Sequence, residues 1–297
     1  MENIAPILQA VASVAWAGFA FTALFVLRSG IISALGRLSK AELFGQKIEL
    51  REELQELQAS ASAASFEARV GDMQVSAPPP ERSDEKEEKF EAIVATILDQ
   101  AKVTPKLALI ALSAELEKQA RQELAVRGLL KDRRHVAITE ALRELGAYGF
   151  PHNLIGSVRL FMDVRNKIVH GKTATDDDAV SALDSGLTIL RALNALPKET
   201  NVVFHSGVNL FRDKDCLIPI ANAKGVILET TSAGGMVKSF RIFPSTQIHF
   251  REGETVAWEW NMQNTWGQAW YKDPDNGVIK KAWDSSAEFV GRHLDAV

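Results

Sequence analysis

Residues 158–172 read VRLFMDVRNKIVHGK. Advanced by about 100° per residue from Leu154, the stretch places Leu154, Val158, Phe161 and Ile168 on one apolar stripe. That spacing predicts an amphipathic helix closed by Gly171. Arg165 falls in the middle of the stripe, and Asn166 and His170, four residues apart, share the flank beside it. A guanidinium set in an apolar face requires a partner, because an unpaired buried charge is very costly. Two readings fit these residues. In one, Arg165 pairs inside the fold with an acid such as Glu115 or Glu117, and His170 complements the helix C-terminus. In the other, Arg165, Asn166 and His170 form a polar site at the end of the helix.

Outward from this stretch, residues 89–197 read as a helical bundle. Phe90, Ile93, Val94, Ile97 and Leu98 mark one amphipathic helix. Pro105 suits the first turn of the next, which runs to about Val126 before Gly128. A third covers roughly 136–147, and Phe150-Pro151 interrupts before the helix of Arg165. Thr175 with Asp178 has the spacing of a capping box and opens a last helix over 176–196. The acidic residues Asp176, Asp177 and Asp178 fit a helix N-terminus, so no metal and no cofactor is expected.

Arg165-Asn166, three residues, then His170, at the end of a late helix of a small bundle, resembles the signature of HEPN domains (higher eukaryotes and prokaryotes nucleotide-binding). The resemblance covers roughly residues 85–197. It implies a metal-independent endoribonuclease acting on RNA, active as a homodimer, with Arg165, Asn166 and His170 from both copies lining one cleft. The roles it implies are proton transfer near neutral pH for His170, a planar grip on the phosphate for Arg165, and for Asn166 orienting His170 or donating to the phosphate. Members of this family that lack catalysis serve as scaffolds. The corresponding alternative is a membrane-tethered adaptor or ligand sensor whose C-terminal domain binds a partner.

Upstream, residues 7–27, ILQAVASVAWAGFAFTALFVL, carry no charge and are long enough to span a bilayer. Met1–Pro6 contains Glu2 and no Lys or Arg, unlike a secretory n-region. Arg28, Arg37, Lys40 and Lys47 follow the span. The positive-inside rule then places the N-terminus outside and the remainder in the cytoplasm, as a single-pass protein of the inner membrane. Residues 1–28 are thus an anchor, and 29–70 a juxtamembrane helical region. There Leu50, Leu54, Leu57, Ala61, Ala64 and Ala68 follow a heptad spacing. It fits either a parallel coiled-coil stem or a helix lying against another element. Residues 71–88, with three consecutive prolines and a charge run, read as a linker.

After Pro197 the composition changes. Residues 198–297 are rich in β-branched and aromatic residues between turn signals, and predict a small all-β domain, barrel or sandwich. Val256, Trp258, Trp260 and Met262 alternate with Ala257, Glu259 and Asn261, as in a half-buried strand. Ser285 with Glu288 looks like the cap of a short closing helix. Trp258 and Trp260 are expected in the core. Trp266, Trp270 and Tyr271 lie in a polar stretch and are candidates for an exposed aromatic surface that stacks on a flat ligand.

The whole is a multi-domain α+β chain of 297 residues with net charge −4. It is no polycation, although a local basic cleft is compatible with that balance. The single Cys216 excludes an internal disulfide and a cysteine zinc cage. No P-loop, GxSxG or HExxH motif occurs.

Overall fold

The helices follow the apolar periodicities closely. The computed structural model describes residues 46–68, 84–130, 133, 136–171, 173–233 and 237–297. Helix α1 covers 46–68. It is followed by α2 (Asp84–Val103), α3 (Pro105–Val126), α4 (Ile138–Ala147), α5 (His152–His170) and α6 (Asp176–Ala195). The apolar span 7–27 lies outside the described residues. Among the described residues, no helix is long and apolar enough to cross a membrane. Helix α2 begins at Asp84, inside the charge run read as linker. The bundle therefore starts five residues before Lys89, in keeping with acids being favoured in a first turn.

Helix α3 packs against α2, α4, α5 and α6. Its Leu109, Leu112, Leu116 and Leu124 are fully buried. Helix α5 turns its expected stripe, Leu154, Val158, Phe161 and Ile168, into the same core. Gly186 on α6 lies so close to both that a Cβ there would sit 2.4 Å from Phe161 and 2.6 Å from Leu112. Eleven residues on from Leu112 and twelve on from Gly186, near the end of α3 and just past the end of α6, Lys198 Nζ is 3.7 Å from Glu123. So α3 and α6 run parallel, and α5 runs against both. The N-terminus of α6 carries the expected capping box. The Thr175 hydroxyl accepts from the Asp178 amide at 3.2 Å, and the Asp178 carboxylate accepts from the Thr175 amide at 2.8 Å. Gly171 ends α5 with its N–H 2.7 Å from the Lys167 carbonyl. A Cβ at that position would stand 2.2 Å from the same oxygen, so no side chain fits.

The heptad positions Leu54, Leu57, Ala61, Ala64 and Ala68 are buried within the chain's own fold. The Ser60 hydroxyl lies 2.6 Å from that of Ser157, and Lys167 pairs with Glu53. From Glu53 onward α1 therefore lies antiparallel along α5, the second of the two arrangements its spacing fits.

The C-terminal region holds eight strands: β1 (Thr200–Val208), β2 (Leu210–Phe211), β3 (Lys224–Thr231), β4 (Lys238–Ser245), β5 (Trp260–Trp266), β6 (Ala269–Lys272), β7 (Ile279–Trp283) and β8 (Ser286–Phe289). They pair antiparallel in three small sheets, β1-β3-β4, β2-β6-β7 and β5-β8. Val226 and Leu228 of β3 belong to one core with Val203, Phe250, Val256 and Phe289. Ile227, between them, belongs to another with Val208, Leu210, Ile242 and Ala269. Strand β3 is thus buried on both faces, and two cores replace the single core of the expected barrel or sandwich.

Two further expectations are corrected. The alternation from Val256 to Met262 is not one strand: β5 begins at Trp260, Val256 and Ala257 are both fully buried, and Met262 is exposed. The reason is that 256–258 runs beside the bundle. The Trp258 N–H donates to the Ala125 carbonyl at 2.8 Å, and the Asn201 side chain donates to Val126 at 3.0 Å. Both carbonyls close the C-terminal end of α3, whose last four carbonyls have no intrahelical partner. Likewise Ser285–Glu288 does not cap a helix. Glu288 lies in β8, buried, and accepts from the Thr246 hydroxyl, the Thr246 amide at 3.0 Å, Asn261 at 3.1 Å and Asn264 at 3.0 Å. The closing element is a 3-10 turn, Leu294–Ala296, held to α3 by Gln122 donating to the Leu294 carbonyl at 3.1 Å.

Two measurements check this packing. Gly186→Ala gains about 1 kcal/mol of helix propensity but overpacks a Phe and a Leu, at a cost of roughly 1–3 kcal/mol. A lowered thermal midpoint is expected, since the clash is with buried side chains. Burial pushes the Glu288 carboxyl up, yet its four donors outweigh that and hold it below the usual range. Its contribution is therefore present above pH 4.5, the ordinary glutamate value, and disappears as pH falls through the depressed value. Denaturation of Glu288→Gln and the wild-type chain from neutral to acid pH should show the two curves converging only below that value.

Candidate functional site

The Arg165 side chain is half-buried at the α3–α5 contact. Its Nε and one terminal nitrogen donate to the Ser113 hydroxyl at 3.1 Å and 2.8 Å. Ser113 is fully buried on α3 and in turn donates to the Ile110 carbonyl at 2.8 Å. The other terminal nitrogen of Arg165 donates to Asn166 Oδ1 at 2.7 Å. The expected acid partners, Glu115 and Glu117, are not used. Arginine has five N–H donors, and these three contacts leave two unassigned. Three other part-buried arginines are held by carboxylates, Arg127 by Glu123, Arg133 by Glu140 and Glu144, both at 2.8 Å, and Arg292 by Glu259 at 2.5 Å, whereas the part-buried Arg121 of α3 has no carboxylate partner among the described residues. Among the described residues, Arg165 is paired with no carboxylate.

Asn166 and His170 are exposed, one helical turn apart on the solvent side of α5. The structure brings Arg165 and Asn166 together, with Asn166 accepting from the guanidinium instead of orienting the imidazole. His170 bonds to neither. It stands in the last turn of α5, where both readings of the sequence placed it.

The aromatic candidates are redistributed. Trp266 lies at the end of β5, and Trp270 and Tyr271 lie in β6, so all three belong to strands. Trp266 and Tyr271 pack against the core that contains Ile227 and Ile242, and Trp270 is half-buried. Trp266 and Tyr271 thus form part of the wall of a core, while Trp270, the residue between Ala269 and Tyr271 in β6, lies on the opposite face of that strand. Trp258 and Trp260 do pack on a core as expected. They meet Phe243 edge to face, with ring centroids 5.7 Å and 4.9 Å away and planes at 89° and 88°.

One arrangement was not anticipated from the sequence. A cleft of about 340 Å³ opens beside β1, lined by His205, Ser206, Phe211, Glu252, Lys272 and Pro274 among others. His205 Nδ1 lies 3.0 Å from Glu252, and its Nε2 lies 2.9 Å from Asp275. The hydrogen bond to Glu252, followed by that to Asp275, raises the imidazole above the usual histidine value against the opposing effect of burial. The three residues are separated by 47 and 70 positions in the chain, so no local spacing signals them. Ser113 had a faint signal, as the one polar residue within LALIALSA on α3.

Because no acid would be stranded, Arg165→Ala should cost only about 1–2 kcal/mol of stability, the scale of lost hydrogen bonds. Arg292→Ala leaves Glu259 buried without its guanidinium and should cost about 3–5 kcal/mol. Chemical denaturation of the two variants side by side tests the contrast. No protein-family model matches the chain, and no curated protein or solved structure proves similar to it.

Proposed function

We propose that the chain is a membrane-anchored, HEPN-like, metal-independent endoribonuclease, with Arg165, Asn166 and His170 as its site and a second copy completing the cleft. The observation that carries this reading is the neutral seating of Arg165. A guanidinium fixed by a serine hydroxyl and an amide oxygen keeps its full positive charge and two N–H donors for a phosphate. A buried structural arginine commonly has its charge met by a carboxylate, as Arg127 at the end of α3 has by Glu123. The exposure of Asn166 and His170 on the same helix leaves both accessible to a polymer substrate.

In this reading the phosphate of RNA sits against Arg165, aligned by the fork that Ser113 and Asn166 hold in place. One His170 takes the proton of the ribose 2′-OH, whose oxygen attacks the phosphorus. The P–O5′ bond breaks, and the His170 of the second copy returns a proton to the leaving oxygen. The products are a 2′,3′-cyclic phosphate and a 5′-hydroxyl end.

Incubating the full-length chain with mixed RNA in the presence of a chelator tests the proposal. Cleavage with cyclic phosphate ends is expected. His170→Ala should lower the rate by about 10²–10⁴-fold, the usual contribution of a positioned acid or base. Arg165→Lys should also fail, since an ammonium lacks the planar fork. Intact RNA after incubation with a folded, dimeric wild-type chain would overturn the reading.

A further inference from the structure

Both ring nitrogens of His205 face carboxylates, Glu252 on one side and Asp275 on the other, at 3.0 Å and 2.9 Å. A neutral imidazole has a single N–H. One of the two contacts would then set a nitrogen lone pair against a carboxylate oxygen. Only the imidazolium donates on both sides at once. The arrangement therefore belongs to one protonation state.

The two carboxylates are held very differently. Glu252 sits in a turn that is tied to β1 by its backbone. The Gly253 N–H donates to the Val203 carbonyl at 2.8 Å, and the Val203 N–H donates to Glu254 at 2.9 Å. Asp275 sits at the tip of the β6–β7 hairpin, in a turn whose backbone hydrogen bonds are internal. Gly277 donates to the Asp273 carbonyl at 2.8 Å, and Asp273 donates to Val278 at 2.9 Å. Lys280 pairs with the Asp273 carboxylate at 2.5 Å. Among the described residues, the contact with His205 is the polar link between this tip and β1. The charged groups around His205 are Glu252 from the 251–254 turn, Asp275 from the hairpin tip and Lys272 from the end of β6 across the cleft. Strand β3 presents Ile227 opposite His205, and Phe204 with Phe240 of β4 packs beside it, so neither strand adds charge at these positions.

We propose that His205 is a proton-operated latch: as imidazolium it pins the β6–β7 hairpin tip to β1, and on losing a proton it keeps Glu252, releases Asp275 and opens the cleft rimmed by Pro274. Since the interactions raise the imidazole above its ordinary value of 6.5, the latch is fully closed below that pH and opens as pH rises through the raised value.

The test is a titration of the full-length chain, with ring-labelled histidine and labelled backbone amides, from about pH 5.5 to about pH 8.5, the range in which histidine changes charge. The His205 signal is identified by its loss in His205→Gln. Its midpoint should lie above the ordinary histidine value. The amides of Asp275, Asn276 and Gly277 should shift with that same midpoint, while Gly253 and Glu254 stay still. Asp275→Ala should lower the His205 midpoint and abolish the hairpin response. Glu252→Gln should lower the midpoint and keep the response. Hairpin amides that stay still through the His205 titration would overturn the latch, as would a midpoint unmoved by Asp275→Ala. Movement of Gly253 and Glu254 in place of the hairpin would overturn the assigned direction of release.

Discussion

Three helices meet where one of them has no side chain. Gly186 lets Phe161 of α5 and Leu112 of α3 close over α6, and a single methyl group there would collide with both. This contact sets the separations within the bundle. It also sets the register of the candidate site. Ser113 follows Leu112 directly, and Arg165 lies one turn beyond Phe161, so the packing that joins Leu112 and Phe161 delivers the hydroxyl to the guanidinium. Close packing and polar pairing are here one arrangement. A buried core transmits small displacements because it has few voids to absorb them, so the geometry of Arg165 depends on a glycine that never touches it.

Much of this bundle was legible in the sequence because its determinants are local. The stripe through Leu154, Val158, Phe161 and Ile168 depends only on spacing along one helix. Thr175 and Asp178 make their capping box within four residues. Pro105, Gly128 and Gly171 mark boundaries by backbone constraints of their own. Partners across the fold were a different matter. The expected partner of Arg165 was an acid, since charge is the usual answer to charge. The actual partner is a neutral hydroxyl 52 residues away, which apolar periodicity cannot distinguish from any other buried small residue.

The β-region misled for a related reason. The alternation of Val256, Trp258 and Trp260 implied one wet face, but Ala257 is as buried as Val256, and Glu259 is buried against Arg292. Ser285 and Glu288 had the spacing of a helix cap. The donors that hold Glu288 come instead from residues 246, 261 and 264, brought together only by the folded sheets. Trp266 and Tyr271 sit among polar neighbours in the sequence, yet they line a core whose other members include residues of β1, β2, β3, β4 and the loop that holds Ile220 and Ala223. Period-two patterning describes a strand with one dry side. It has no vocabulary for a segment enclosed by two different layers.

Helix α3 has Ser113 in its first half and, at its C-terminal end, the carbonyls of Ala125 and Val126 that receive Trp258 and Asn201. At 1.5 Å per residue these points are about 18 Å apart along one continuous rod. An α-helix is stiff along its axis, with every turn bonded to the next. Twisting or sliding the β-region against its end of α3 would therefore turn or lift the serine that steadies Arg165 by a comparable amount. The helix is a drive shaft as well as a core element, with its bearing at Gly186.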